Sequence, residues 1–454
     1  MNGRLVVIGG DAAGMSAVMQ VRRRQPEREI VVLEKGRWTS YSACGIPYVV
    51  GGVVDGIDDL VARRPETFRT EHDVDVRLRH EARAVDLDAR EVEAWDHEAA
   101  AAVRIGFDDL MIATGAVPVR PALPGIDHPM VHGVQTLDDA ARLLEAIEGG
   151  AGGHPPVRRA VVVGGGYIGL ELAEAFVQRG MEVTVVEAAD QVMSTLDADV
   201  AAPLLEAMAG MGIRVRLRTP LEAVEDGAVV AGGERIPAEV VVLGLGVRPA
   251  SELAVQAGIE VGDRGGIRID RRQRTSAPGV WAAGDCCESF HLIARAPVHV
   301  ALGTVANKQG RVAGINIGGG YATFPGVLGT AVTKVCRIEI GRTGLSESEA
   351  ERHGFACVGA TIEARTRAGY FPDAKWIMVK ALAERGTGRL LGAQIVGEEG
   401  TAKRIDVLAT ALWAGMTVGD VIDLDLGYAP PFGSVWDPVH VVVRRLARAL
   451  DAGP

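Results

Sequence analysis

Apolar residues in this chain come in short unbroken runs separated by glycine-rich turns. Arg4 to Ile8 is an apolar run of the kind that forms a strand buried on both faces, Gly9-Gly10-Asp11-Ala12-Ala13-Gly14 follows as a tight turn, and Met15 to Arg24 reads as a helix. Ile30-Val31-Val32-Leu33 is a second buried strand, closed by Glu34. Strand, turn, helix and strand make a βαβ unit, and the acid stands twenty residues beyond Gly14, where a carboxylate reaches an adenosine ribose. The pattern returns in mid-chain: a strand over Ala160 to Val163, the turn Gly164-Gly165-Gly166-Tyr167-Ile168-Gly169, a helix over Leu170 to Arg179, a strand over Val183 to Val186, and Glu187. Two such units imply two bound dinucleotides.

The remaining pattern is less regular. Val53 to Arg69 predicts helices and polar loops, and His72 to Val85 alternates weakly through Val74, Val76 and Leu78. Glu91 to Trp95 and Val103 to Ile105 predict a hairpin. Phe107 to Ala116 predicts a strand running into the small residues Ala113-Thr114-Gly115-Ala116, which let the chain pass close to a cofactor. Pro118 to His132 is a proline-rich connector, and residues 149–156 a glycine- and proline-rich linker. Leu243 to Pro249 closes the second unit. Thr275 to Asp285 predicts a strand ending on Asp285, His299 to Asn316 a helix, and the triple glycine at 318–320 a boundary. Beyond it, Phe324 to Arg342 and Arg389 to Val396 predict strands. Lys403 to Ala414 predicts an amphipathic helix, with Ile405, Leu408, Ala409, Leu412 and Trp413 on one face.

Composition narrows the partners. With 454 residues, 48% of them hydrophobic, the chain fills two or three domains. Its net charge, 48 − 59 = −11, implies no surface for nucleic acid or anionic membrane, with Arg22-Arg23-Arg24 and Arg444-Arg445 as local exceptions. Five unevenly spaced cysteines do not make a disulfide framework and fit a reducing cytoplasm. The first strand begins within four residues, so no signal peptide is expected, and no run of about 18 apolar residues predicts a membrane span. No metal site is read from the chain.

The two glycine turns differ. The second fits G-x-G-x-x-G in full. The first carries Asp11 where a glycine normally admits the pyrophosphate; Gly10 restores part of the freedom, but the anion has no account in the sequence alone. Glu187 is followed by Ala188-Ala189-Asp190, with no arginine nearby. A 2′-phosphate there would face two acids, and unit like charges about 4 Å apart repel by roughly 4 kcal/mol at an effective dielectric near 20. NADH is therefore expected over NADPH.

One cysteine follows directly on the first unit, in Ser40-Tyr41-Ser42-Ala43-Cys44-Gly45-Ile46-Pro47-Tyr48. These residues resemble the pyridine nucleotide-disulfide oxidoreductases. Most members carry Cys-x4-Cys beside the flavin, but here the fifth residue after Cys44 is Val49, so the run resembles the single-cysteine branch of coenzyme A-disulfide reductases, persulfide reductases, and NADH oxidases and peroxidases. The resemblance extends over the whole chain. It implies an α/β fold with two Rossmann-like dinucleotide-binding domains and an α+β C-terminal dimerisation domain. The expected divisions are 1–117 with 248–322 for FAD, 118–247 for NAD(P)H, and 323–454 for dimerisation.

The resemblance also distributes roles. FAD contacts fall on Gly9, Gly10, Ala13, Gly14, Glu34, Lys35 and Ala82, on Thr114 and Gly115 of the second flavin motif, and on Asp285 of the third. Nicotinamide contacts fall on Gly164, Gly166, Ile168, Gly169, Glu187 and Gly246, with Tyr167 as a gate and Glu171 near the two rings. Without the resemblance, Tyr167 reads equally as an aromatic packed at a helix start. Ser40, Arg22 and Arg23 are expected to face the phosphates of a coenzyme A-type substrate; the same arginines also suit a helix C-terminus, whose dipole favours cations. Tyr428 and Tyr370 are candidate proton donors, Tyr428 on the loop that crosses to the partner subunit; a plain reading of each is interface packing. Cys286, Cys287, Cys336 and Cys357 are expected to be structural.

The expected reaction follows. NADH reduces FAD, which reduces a mixed disulfide between Cys44 and a small thiol, coenzyme A or another; Cys44 thiolate then attacks the next disulfide or persulfide, and Tyr428 protonates the leaving thiolate. Backbone amides around Gly45 are expected to lower the Cys44 pKa, although the asparagine usual before this cysteine is replaced by Ala43. Two rivals stand beside it: an NADH oxidase or peroxidase cycling Cys44 through sulfenic acid, and a slow flavoprotein redox sensor. The oxidases resembled carry a histidine in the first glycine turn, where this chain has Ala12 and Ala13. A rhodanese domain, fused to some persulfide reductases, would need about another hundred residues and is not expected.

Overall fold

The computed structural model describes residues 3–149 and 157–452, so most of the expected linker at 149–156 lies outside the described residues. The fold is mixed α/β. Leu5–Ile8, Ile30–Glu34, Asp75–Leu78, Asp109–Ile112 and Val280–Ala282 form one parallel sheet, with Leu5–Ile8 at its centre. A second parallel sheet has Arg159–Val163 at its centre, flanked by Glu182–Val186 and Val240–Leu243, with Arg214–Arg216 and Val131–His132 at its edges. Both central strands are buried on both faces, as uninterrupted Val/Ile/Leu runs require.

The two sheets share more than their βαβ cores. Each is joined by an antiparallel three-stranded meander, His80–Asp86, Glu91–Asp96 and Ala101–Gly106 in the first and Leu221–Glu225, Ala228–Ala231 and Glu234–Pro237 in the second. In each, the next strand returns to pair with the central one. Two short strands, Ala116–Pro118 and Val247–Pro249, pair antiparallel where the chain passes between the units. The helix Ala12–Arg24 lies against the late helix Gly303–Ile317, which ties the chain's start to residues three hundred positions on. Glycines permit that approach: a Cβ on Gly310 would meet the Ala13 carbonyl oxygen at 2.1 Å.

The C-terminal part is a five-stranded antiparallel sheet in the order Ala331–Val335, Ile338–Gly344, Leu390–Gly397, Trp376–Glu384, Cys357–Arg365. The single strand expected over Phe324 to Arg342 is a hairpin, broken at Cys336 and Arg337, where Cys336 takes φ +54°. The helix expected over Lys403 to Ala414 runs Ile405–Trp413; Ile405, Leu408 and Leu412 are buried, but Trp413 is exposed. The helix expected from His299 starts at Gly303, and Asp285 lies in a turn after its strand rather than at its end. A helix over Pro438–Asp451 was not expected. Valines at 439, 442 and 443 mask it, since β-branched residues favour strands. Asp437, whose side chain accepts the Val439 N–H, and Pro438 start it.

A buried lysine locks the second unit to the C-terminal sheet. Lys380 Nζ lies 3.1 Å from Asp197, 2.9 Å from Asp199 and 3.0 Å from Glu347, with its side chain 5% exposed. Gln394 both donates to the Asp197 carboxylate and accepts its backbone N–H, each at 2.7 Å. Burial alone would lower the Lys380 pKa, but its bonds to Asp199, Glu347 and Asp197 outweigh it and push the pKa up. Removing the cation would leave the buried Asp197 carboxylate without its ion partner, while Asp199 and Glu347 are half exposed. Lys380→Met should therefore cost about 3–5 kcal/mol of stability in urea unfolding. An unchanged midpoint would show that the two bodies hold together without it.

Candidate active site

Three turns converge on one edge of the first sheet. Gly9 to Gly14, Ala113 to Gly115 and Ala283 to Asp285 each follow the carboxyl end of a neighbouring parallel strand, where ligands of open α/β sheets bind. Gly9 has φ +106°, and a Cβ on it would meet the Ala113 carbonyl oxygen at 2.1 Å. The second sheet repeats the arrangement: Gly164 has φ +104°, and its Cβ would meet the Gly244 carbonyl oxygen at 2.4 Å. In each unit the acid after the second strand braces the turn. Glu34 accepts the N–H of Gly10 at 2.8 Å and of Gly36 at 2.7 Å; Glu187 accepts those of Gly165 at 2.6 Å and Ala189 at 2.8 Å. A carboxylate oxygen has two lone pairs, so neither brace excludes a ribose hydroxyl. Burial raises the Glu34 pKa against the two backbone bonds and Lys35.

The other expected cofactor residues lie on these two cradles. Asp285 Oδ1 is buried without a partner, and burial raises its pKa against nearby His299. An orphaned carboxylate at the carboxyl edge fits a hydroxyl-bearing ligand such as the ribityl chain of FAD. Thr114 Oγ1 donates to the Ala250 carbonyl at 2.6 Å, Gly115 takes φ +71°, and Ala82 sits at a bulge in the first meander. In the second unit Tyr167, Ile168, Gly169 and Glu171 lie on the helix Tyr167–Gln178, and Gly246 takes φ +82° and accepts the Val119 N–H. The Tyr167 hydroxyl is buried close to that of Thr195, and burial raises its pKa against that contact.

Asp11 is accommodated for a local reason. Its backbone, at φ −115° and ψ −151°, is extended like that of Gly166 at φ −85° and ψ −174°, so the turn itself does not require glycine there. Its carboxylate turns to accept the Tyr41 N–H at 3.0 Å. Burial pushes its pKa up to about 6, with Glu34 and Asp285 adding to the rise and the Tyr41 bond opposing it.

Cys44 stands in the one-turn helix Ala43–Gly45, exposed, ahead of the short helix Ile46–Val50. The expectation that local amides lower its pKa does not hold for the polypeptide. Burial of the sulfur raises it first, then the negative charges of Glu171 and Asp285, with Asp11 adding a little; a backbone N–H opposes them. Glu171 accepts from the Thr333 hydroxyl of the C-terminal sheet, and its own pKa is raised by burial. Tyr48 is a further phenol here: burial, Glu171, Glu174 and Cys44 all raise its pKa. It stands four residues after Cys44, a spacing that puts two side chains on one helix face, so its signal was present in the sequence.

One substrate expectation changes. Arg22 is spent on the backbone carbonyls of Pro26 and Asp73, so it is not free for a phosphate, whereas Arg23 is exposed. Ser40 takes φ +52° and donates its N–H to the Gly10 carbonyl at 3.0 Å. An arginine does lie near Glu187: Arg218 donates its N–H to the Ala189 carbonyl at 2.8 Å, brought there by the pairing of Glu182–Val186 with Arg214–Arg216. Tyr370 and Tyr428 come together, and their hydrogen bond raises the Tyr428 pKa. Both are exposed, among Phe432, Val435 and Trp436 on the same C-terminal surface.

Comparison with known proteins agrees with this geometry. Residues 3–310 match the family described as pyridine nucleotide-disulphide oxidoreductase, and residues 330–438 match its dimerisation domain. The chain is 39% identical, over 98% of its length and 99% of the relative's, to an NAD(P)H coenzyme A polysulfide/persulfide reductase of Pyrococcus horikoshii. It is 34% identical to an NADH oxidase of Methanocaldococcus jannaschii, over 99% of both chains. Among solved structures, a NAD-dependent persulfide reductase from A. fulgidus superposes with a TM-score of 0.94 at 37% identity, covering 99% of this chain and 84% of that one.

The charges around the thiol make a pH prediction. Glu171 is the largest of them, and a nearby anion disfavours the thiolate. Glu171→Gln should move the pH profile of Cys44 alkylation by iodoacetamide to lower pH, raising the rate at pH 7 by about tenfold for each unit the pKa falls. An unmoved profile would separate Glu171 from the thiol.

Proposed function

This chain belongs to the pyridine nucleotide-disulphide oxidoreductases, and from that membership we propose that it is an FAD-dependent NADH oxidoreductase reducing a coenzyme A-type disulfide or persulfide through Cys44. The observation that carries the reading is an exposed, unpaired thiol at the edge of the first cradle with no cysteine at the position of the family's usual partner. Position 49, where most of the family has a second cysteine, is a buried valine; Cys286 and Cys287 are buried and unpaired, and Cys336 and Cys357 are unpaired on the C-terminal sheet. A thiol so placed takes its partner sulfur from the substrate.

In the proposed cycle Cys44 Sγ attacks a disulfide or persulfide sulfur, one S–S bond forming as the other breaks. The leaving thiolate takes a proton from the Tyr370–Tyr428 pair. Bound in the first cradle, FAD supplies the two electrons, drawn from NADH, that reopen the mixed disulfide. The exposed aromatic surface around the two phenols supports a homodimer in which they reach the Cys44 of the partner subunit. Arg23 and Ser40 are the candidates for holding the substrate's phosphates. Five free cysteines suit a reducing cytosol, and among the described residues no helix is long and apolar enough to cross a membrane.

Cys44→Ser should keep the fold and the FAD, still allow NADH to bleach the flavin, and reduce coenzyme A disulfide or persulfide only at background. Near wild-type disulfide reduction by the variant would sink the thiol mechanism. The M. jannaschii relative keeps the oxidase reading in view. If the wild-type enzyme ignores disulfides yet makes water from oxygen in a Cys44-dependent way, that reading wins.

NADH is proposed as the better donor because Glu187 and Asp190 face the position of a 2′-phosphate. The Arg218 backbone is bonded to Ala189, which brings one exposed cation into this neighbourhood as a test of the charge argument. NADH should show the higher kcat/KM, and Arg218→Ala should widen the gap by lowering NADPH use up to about fivefold, the worth of an exposed ion pair. Equal or better use of NADPH by wild type would overturn the preference.

A further inference from the structure

Asp11 occupies a position that a dinucleotide cradle normally keeps bare, and its side chain has a partner on another segment. Its Oδ1 accepts the Tyr41 N–H at 3.0 Å. Tyr41 lies three residues before Cys44, in the stretch that carries the thiol across the carboxyl edge of the first sheet. No other acceptor holds that N–H among the described residues: the bonds flanking the Tyr41–Val61 bridge run from Ser42 to Leu60 and from Ala62 to Ser40.

Two further bonds hold the same stretch to the turn, and both end on Gly10. The Ser40 N–H donates to the Gly10 carbonyl at 3.0 Å, and the buried Thr39 hydroxyl donates to the same oxygen. Ser40 takes φ +52°, a left-handed conformation that an L-residue adopts only when its surroundings impose it. The chain between the second strand and Cys44 is therefore bent back onto the glycine turn and gripped at Thr39, Ser40 and Tyr41. Asp11 supplies the last bond to the turn before the thiol and, among the described residues, the only one made by a side chain of the turn.

We infer that Asp11 is a positioning residue for the thiol chemistry: its carboxylate hangs the Cys44-bearing segment on the cofactor cradle, so that the thiol keeps register with whatever the cradle holds. The inference rests on the reading of Cys44 as the reacting sulfur. It also accounts for an anion in a phosphate-binding turn. The side chain is drawn out of the cradle onto a neighbouring backbone donor, and its burial beside Glu34 and Asp285 favours the neutral acid.

Three substitutions separate the acceptor from the charge. Asp11→Asn keeps an Oδ1 acceptor without the charge, Asp11→Ala removes both, and Asp11→Gly completes the glycine motif while removing both. In the FAD-loaded enzyme, Asp11→Ala and Asp11→Gly should lose amide hydrogen-exchange protection over residues 39–48. Their kcat for coenzyme A disulfide should fall by about tenfold or more, because small misplacements of reacting groups are costly. KM for NADH and flavin content should hold. Asp11→Asn should restore both protection and kcat to within about threefold, less than the loss of one hydrogen bond. The inference is overturned if Asp11→Ala keeps wild-type protection and kcat, or if Asp11→Asn fails as badly as Asp11→Ala. If the wild-type enzyme reduces no disulfide at all, the proposed function fails, and hydrogen exchange alone decides the tether.

Discussion

The carboxylate that closes each βαβ unit is the interaction on which the rest of the site depends. Glu34 and Glu187 each accept the N–H of the glycine following the left-handed first glycine of the turn, and each ties a second N–H just beyond its own strand. A left-handed glycine turn has many alternatives in the unfolded chain, and a carboxyl acceptor on its first free N–H selects one. The brace orients the first turn so that Gly10 presents its carbonyl to Thr39 and Ser40. The segment bearing Cys44 is thus positioned by the same residues that form the cradle. In the second unit the same brace fixes Glu187 against the turn at Gly165 and Ala189.

The electrostatics of the thiol run against a simple activated-cysteine picture. Glu171, Asp285 and Asp11 all disfavour the thiolate, and of the leading influences on Cys44 only a backbone N–H favours it. Such charges shift the balance of the resting sulfur toward the thiol. Activation then has to arrive with the complex, from the substrate, the bound dinucleotide or the partner subunit. A single-cysteine enzyme has reason for such restraint, because no resolving thiol protects its sulfur from over-oxidation.

The site is assembled from three bodies that share one apolar cluster, from Ile46 and Val49 through Leu170 and Phe176 to Val335 and Ile340, and polar bonds are set beside it. Thr333 reaches from the C-terminal sheet to Glu171, Lys334 lies 3.0 Å from Glu174, and Cys336 donates its N–H to Glu174 at 2.7 Å. Lys380 repeats the theme one helix further on. Each bond joins the second unit to the C-terminal sheet, and the helix carrying Tyr167 and Glu171 is held between them. Polar locks fix orientation more sharply than apolar contact does, because a buried donor without its acceptor is costly while a shifted methyl group is not.

Local pattern was enough for much of this. Unbroken apolar runs, glycines at fixed offsets and an acid after the second strand all act within about thirty residues, so the two βαβ units were legible, as was the solitude of Cys44. The break at Cys336 escaped because nothing in a continuous apolar alternation marks a left-handed residue. What only the tertiary structure decided were the partners of polar side chains: Asp11 on Tyr41, Arg22 on two carbonyls, Arg218 beside Ala189, Glu171 beside Cys44. Burial can be read from periodicity because it depends on which face a residue occupies. A hydrogen-bond partner depends on which distant backbone happens to cross that face, and sheet order, not sequence spacing, settles that.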